Sequence, residues 1–261
     1  MTTPAIGTAL DAALEGLPST SLAALGDATL LNRVDTKYIV PASLVPDLVA
    51  ACRGSYAALV VDGARTFAYH TRYFDTPTLD FFRAHVTGRL PRRKVRIRSY
   101  ARGGRHVLEL KRKTSKGRTE KLRMDVDAND ASALAALGAG PFANAQAPDP
   151  RAVHPTLDVA FTRATLVNTT AAERVTIDLD LAYVAGDASL AFPDSAIIEV
   201  KQQRRARSPV IDLLRRARQR PTRISKYCAG IAALLAPAPV PTYRRLLSQL
   251  HAPPDVPSLG V

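Results

Sequence analysis

The sequence predicts an α+β protein: an antiparallel sheet of about eight strands, curled into a closed barrel with a basic interior and flanked by helices. Three observations predict it. Long runs alternate polar and apolar residues with period two, as in Arg92 to Ala101, His106 to Lys113 and Glu173 to Val184. Hairpin signals separate such runs, at Arg102-Gly103-Gly104-Arg105 and at Ser115-Lys116-Gly117. At least six strands present a polar face rich in opposite charges, and a sheet that curls on itself to remove its edges turns such faces inward. The same alternation also fits a half-exposed sheet whose salt-bridged face is wet.

Along the chain, residues 1–30 read as an N-terminal helical extension of two short helices, broken at Pro18 with Ser19 as N-cap. Residues 31–250 read as one domain and 251–261 as a tail. Leu31 to Val40 is a strand ended by Pro41, and Ser43 to Cys52 a helix. Tyr56 to Val61 and Thr66 to Phe74 read as a hairpin about Asp62-Gly63. Leu79, Phe82 and Val86 recur at helical spacing before Gly88, with Asp75 as the cap. Arg118 to Val126 follows as a third strand of the middle segment. Asp130 to Leu137 reads as an Ala-rich helix and Gly138 to Pro150 as a loop. Leu157 to Val167, Glu173 to Val184 and Ser189 to Lys201 are three more long strands. Ser208-Pro209 and Ser225 cap two helices, and Pro241 to Leu250 is the last.

The chain of 261 residues carries 36 Lys and Arg against 23 Asp and Glu, a net charge of +13. Arg89 to Arg123 holds 15 of the basic residues against Glu109 and Glu120, which accounts for the whole excess. Lys201 to Lys226 holds ten more against Asp212 alone. Concentrated positive potential of this kind attracts phosphates. With 46% apolar residues the chain is not disordered. No apolar run is long enough to cross a membrane, so no membrane insertion is expected. The first thirty residues lack Lys and Arg, so the basic region of a secretory signal is missing and the expected compartment is the cytoplasm. Cys52 and Cys228 are read as buried thiols. The five His show no metal-ligand spacing and are read as surface or loop residues. Nucleic acid is disfavoured as a partner, because the Arg89 to Arg123 segment offers only Tyr100 for stacking.

Lys94, Arg96, Arg98 and Tyr100 share one strand face; so do Glu109, Lys111 and Lys113; so do Lys121, Arg123, Asp125 and Asp127; so do Arg174, Thr176, Asp178 and Asp180; and so do Glu199 and Lys201. Arg forks hold phosphate oxygens bidentately, Lys acts as a point charge, and carboxylates hold the hard Mg²⁺ or Mn²⁺ that bridges phosphates. Six segments carry a resemblance beyond chemistry: Arg33-Val34-Asp35-Thr36-Lys37-Tyr38, Tyr73-Phe74-Asp75-Thr76, Lys94 to Tyr100, Leu108 to Lys113, Ile198-Glu199-Val200-Lys201 and Ser225-Lys226-Tyr227. Together, over about Leu31 to Leu235, the chain resembles the VTC domain, the polyphosphate-polymerase domain of the triphosphate tunnel metalloenzymes.

That resemblance implies a metal-dependent transfer of the ATP γ-phosphate to polyphosphate. Lys37, Arg96, Arg98, Arg163, Arg174 and Lys226 would be the catalytic cations. Lys94, Lys111, Lys113, Lys121, Arg123, Lys201 and Ser225 would be further phosphate contacts. It implies Mn²⁺ or Mg²⁺ as cofactor, with Glu199 as ligand and Glu109 and Asp178 as the other carboxylate candidates. The expected partners are ATP, inorganic triphosphate or polyphosphate; the sequence is silent on oligomeric state. The hydrolytic branch opens with Glu-x-Glu-x-Lys, where this chain has Arg33 and Asp35, which favours the polymerase branch. The alternatives are an inorganic or nucleoside triphosphatase, and a protein that binds polyphosphate or nucleic acid without turnover.

Overall fold

The computed structural model describes residues 4–23, 34–100, 104–115, 119–143, 145–236 and 240–251. Helix α1 (Pro4–Glu15) and the two-residue strand β1 (Ser19–Thr20) precede β2 (Val34–Pro41), a 3-10 turn and α2 (Val45–Ala50). Then come β3 (Tyr56–Leu59), β4 (Thr66–Asp75), α3 (Asp80–Thr87), β5 (Arg92–Tyr100), β6 (His106–Lys113) and β7 (Thr119–Val126). After 3-10 turns follow β8 (His154–Asn168), β9 (Glu173–Ala185), β10 (Ala188–Phe192), β11 (Ser195–Gln202), α4 (Pro209–Arg216), α5 (Lys226–Leu234) and α6 (Pro241–His251).

The main sheet runs β2-β11-β9-β8-β4-β5-β6-β7 with antiparallel pairing throughout. It curls, but hydrogen bonds do not close it: β2 and β7 remain edges among the described residues. The expected closed barrel is corrected on this point. The reason lies in β7, whose Thr119, Lys121, Arg123 and Asp125 are exposed in strict alternation; charged side chains on an edge strand oppose further pairing.

Four more readings change. Tyr56–Leu59 and Thr66–Asp75 form no hairpin. The Asp62-Gly63 turn does form, both residues having positive φ and Val61 bridging Ala64. Yet both strands pair with successive parts of the 15-residue β8, β4 with its first two thirds and β3 with its end. Ser189 to Lys201 is likewise two strands, β10 and β11, laid end to end along β9 and separated at Pro193-Asp194. Ser19 caps no helix; it is extended, paired in parallel with Ala58, while Ala58 N–H donates to Pro18 O at 2.7 Å. The rest of the expected second helix, the tail beyond residue 251 and parts of the turns at 102–105 and 115–117 lie outside the described residues. Asp130 does cap, but the Ala131–Gly138 segment that it starts is a 3-10 helix.

The convex face is apolar. Val40, Val175, Ile177, Ile198 and Val200 pack under α1, α2 and α4, and Val95, Ile97, Leu108 and Leu110 pack against Leu134, Leu137 and Phe142. The concave face is divided. At one end Leu157, Val159, Leu181 and Tyr183 pack against Tyr227, Cys228 and Ile231 of α5. Gly230 makes this close approach possible: a Cβ there would meet Leu157 and Tyr183 at 2.6 Å. The remainder of the concave face is charged, and α5 starts where the apolar part ends.

Candidate active site

Cross-strand register assembles the site. Arg96 of β5 stands opposite Glu109 of β6, which stands opposite Arg123 of β7. The Glu109 carboxylate is 2% exposed and meets Arg96 at 2.5 Å, Lys121 at 2.6 Å, Arg123 at 3.3 Å and Arg98 at 3.7 Å. One buried anion thus faces four cations. Burial opposes ionisation of Glu109, but Arg96, then Arg98 and Lys121, hold its carboxyl far below the ordinary range. Burial pulls Lys121 down to about 7 despite Glu109. The Arg98 Nε is buried with no hydrogen-bond acceptor, a donor left over once Glu109 is shared out.

A second cluster lies on β8, β9 and β11, beyond β4 in the sheet. Arg163 of β8 donates through Nε and Nη2 to the two oxygens of Asp178 on β9, at 2.5 and 2.8 Å. Lys226, the first residue of α5, pairs with the same carboxylate. Burial opposes ionisation of Asp178, but Lys226 and Arg163 hold it at about 2. On β11, Glu199 pairs with Lys201 at 2.5 Å and with Lys37 of β2 at 3.5 Å. Lys201 also donates to Thr176 Oγ1 at 3.0 Å, and burial lowers it to about 8. Arg174 stands opposite Lys201 in register.

The α5 start joins the clusters. Ser225 Oγ accepts from Cys228 N–H as a cap and from Lys94 Nζ at 2.7 Å. Lys37 Nζ donates to Ile224 O at 3.2 Å. Enclosure and the Lys37 ammonium together lower Lys111, and Lys37 of β2 and Lys94 of β5 meet at the same turn although those strands do not pair among the described residues. Lys113, at the end of β6, forms no ion pair among the described residues.

Aromatic side chains that sequence reading did not assign to the site orient the cations. Tyr69 stacks on Phe161 with centroids 5.3 Å apart; Arg163 lies over Tyr69 at 5.2 Å, Arg98 over it at 5.7 Å, and Lys226 over Phe161 at 4.6 Å. The signal was the two-residue spacing of Tyr69, Thr71 and Tyr73, which puts them on the face of Arg96 and Arg98. Tyr73 is a core aromatic whose hydroxyl accepts from Arg96 at 3.2 Å. Burial would raise its pKa, but Arg96 and Lys94 lower it. Tyr38 and Tyr227 are buried as expected, and Tyr227 donates to Asp75. Asp75 also accepts from the Phe81 and Phe82 amides at the start of α3, so it caps that helix. Three of the His readings change: His70 and His106 lie within β4 and β6, bonded to Asp158 and Ser99, and His85 is half-buried on α3. Both cysteines are buried and free.

No group of three or more His, Cys, Asp or Glu gathers among the described residues. The three candidate carboxylates are split: Glu109 lies in one cluster, while Asp178 and Glu199 are diagonal neighbours on adjacent strands, about 7–8 Å apart at Cα by sheet geometry. Two hard oxygen donors fit a small divalent cation that takes its other ligands from phosphate and water. Asp35 stands opposite Lys201; Arg33 lies outside the described residues.

A curled antiparallel sheet with cations and a few carboxylates on its concave face defines an α+β protein with a cation-rich site. The VTC domain model matches residues 32–235, and the chain belongs to that family. Among solved structures, the candidate adenylyl cyclase HpAC1 from Hippeastrum, described as having a dominant triphosphatase activity, is 19% identical, with a TM-score of 0.51 over 78% of this chain and 98% of that one. At this identity the likeness shows the fold. A candidate adenylate cyclase from Bacillus halodurans is 12% identical, with a TM-score of 0.46 over 70% of this chain and 90% of that one. No curated protein matches the sequence.

Proposed function

We propose that the protein is a metal-dependent enzyme that binds a linear phosphate chain in its lumen and transfers the ATP γ-phosphate to polyphosphate. One observation carries this reading: two carboxylate-centred clusters stand on one sheet face and meet at Tyr69, over which both Arg98 and Arg163 lie, each cluster with more cations than it can neutralise. The unsatisfied Arg98 donor points the same way. Arg96, Arg98, Arg163, Arg174, Lys37 and Lys226 would spread the charge of the transferred group, and Lys94, Lys111, Lys121, Lys201 and Ser225 would align the chain. Arg123, 62% exposed, would meet it at the rim, and Lys113 at the strand end. Catalysis of this kind is positioning and charge neutralisation without a protein nucleophile. Glu199 with Asp178 would hold Mn²⁺ or Mg²⁺, which neutralises phosphate oxygens. In the free protein Lys201, Lys37, Arg163 and Lys226 hold those carboxylates ionised and in place.

With water as the attacking group the same site is a triphosphatase, a reading favoured by the activity described for HpAC1. Incubation with ATP and Mn²⁺, with separate readouts of polyphosphate and free phosphate, tests both. Polyphosphate as the main product supports the polymerase, and free phosphate alone supports the triphosphatase. Glu199→Gln is expected to abolish turnover while metal-free tripolyphosphate binding is kept or tightened, because an anion has left a cationic lumen. Turnover near wild type in that variant would place the metal elsewhere.

A further inference from the structure

The basic residues between β11 and α5 lie outside the lumen. Arg204, Arg205, Arg207, Arg215, Arg216, Arg218, Arg220 and Arg223 are all exposed, and Asp212 is the single acid among them. Asp212 is already taken by Arg215 at 2.7 Å and Arg207 at 3.5 Å. The other six guanidiniums form no ion pair or side-chain hydrogen bond among the described residues. Like charges crowded without counter-charge repel one another, so the cluster is a standing potential for a polyanion.

Its place in the fold connects it to the site. Helix α4 buries Val210 and Leu214 against the convex face beside β2, the free edge of the sheet. From there the chain turns round that edge. Thr222 N–H donates to Lys37 O at 2.7 Å, Lys37 reaches Ile224 O, and two residues later Lys226 is in the lumen on Asp178. Arg220 and Arg223 therefore flank the open side of the lumen, and the cluster continues from them over α4. Residues 203–223 contain no aromatic side chain, so the surface lacks the stacking platforms of a single-strand binder and offers only guanidinium forks for phosphate.

We propose that this arginine surface is a track for the part of a long polyphosphate chain that extends beyond the lumen. The inference rests on the phosphate-chain reading of the lumen and adds where the chain leaves it. A second contact region on one tethered ligand raises the affinity for long chains without touching the affinity for short ones.

The test uses the full chain and the variant Arg204→Gln/Arg205→Gln/Arg218→Gln/Arg220→Gln, at exposed positions where no ion pair or side-chain hydrogen bond among the described residues is lost. Binding of tripolyphosphate, of long-chain polyphosphate and of a short DNA duplex is measured over a salt series. The expected result is tripolyphosphate affinity within twofold of wild type and at least about a tenfold loss for long-chain polyphosphate, with a salt slope shallower by about 0.7 per phosphate contact removed. Unchanged long-chain affinity in the folded variant overturns the track. An equal fold-loss for the duplex overturns polyphosphate as its partner in favour of nucleic acid. Failure of wild type to bind tripolyphosphate overturns the lumen reading instead, and a long-chain loss in the variant would then leave the surface as an independent polyanion site. A thermal melt matching wild type shows that the variant is folded.

Discussion

Glu109 makes the clearest case for what one residue does. Four cations surround one nearly inaccessible carboxylate, and removing one partner of such a buried set costs about 3–5 kcal/mol because the remaining charges lose compensation. Glu109→Gln is therefore expected to be strongly destabilised, yet to gain more from tripolyphosphate than wild type does, since the ligand replaces the missing anion. Melting curves with and without ligand check this; an equal or smaller ligand-induced shift in the variant would contradict it. His85 is the second residue with a measurable signature. Burial first, then Lys94 and Arg92, lowers its pKa to about 3 from an unfolded value near 6.5. Between those values the unfolded chain binds the proton and the folded one does not. The contribution is thus fully present above about pH 6.5 and is lost as pH falls toward 3. Urea unfolding of His85→Gln across this window is expected to show a shallower fall in stability than wild type; identical slopes would remove His85 from the account.

At the scale of elements, α5 is the piece on which the site depends. It seals the apolar end of the concave face and carries Ser225 and Lys226 to the charged end. Gly230→Ala would gain about 1 kcal/mol of helix propensity but overpack Leu157 and Tyr183, at a cost of about 1–3 kcal/mol. The expected result is a modest net loss of stability with weaker tripolyphosphate binding, because a lifted α5 withdraws Lys226 from Asp178. A more stable variant with unchanged affinity would show that α5 has room to spare. The strands β5, β6 and β7 were legible because their charges alternate and their turns are local. So were the caps at Asp75, Ser208 and Ser225, where one side chain satisfies amides a few residues on. What escaped was non-local. Nothing near Asp62-Gly63 reveals that β3 and β4 share β8, a partner about a hundred residues away. Pro193, by contrast, was a visible signal that Ser189 to Lys201 could not be one internal strand. Within the site, the charged faces named the cations and the spacing of Tyr69, Thr71 and Tyr73 pointed to Tyr69, while Phe161 joins it only through β4 pairing with β8.

The molecule as a whole is a curled sheet with its apolar side outward, under helices, and an excess of cations within. Its edges β2 and β7 do not pair with each other among the described residues, Lys37 of β2 and Lys94 of β5 both reach the start of α5, and the net charge of +13 adds to the repulsion among the cations. On the proposed reading a polyanion relieves that repulsion, and binding depends on the whole face more than on any single side chain. The most direct test is calorimetric titration of tripolyphosphate into wild type and Arg98→Ala, a variant lacking one buried donor that has no acceptor. The account predicts binding by wild type and a loss of about 1.5–3 kcal/mol, roughly tenfold or more in affinity, for a charge-assisted contact removed from a folded protein. Equal affinity in the two proteins, or no binding by wild type, would contradict it.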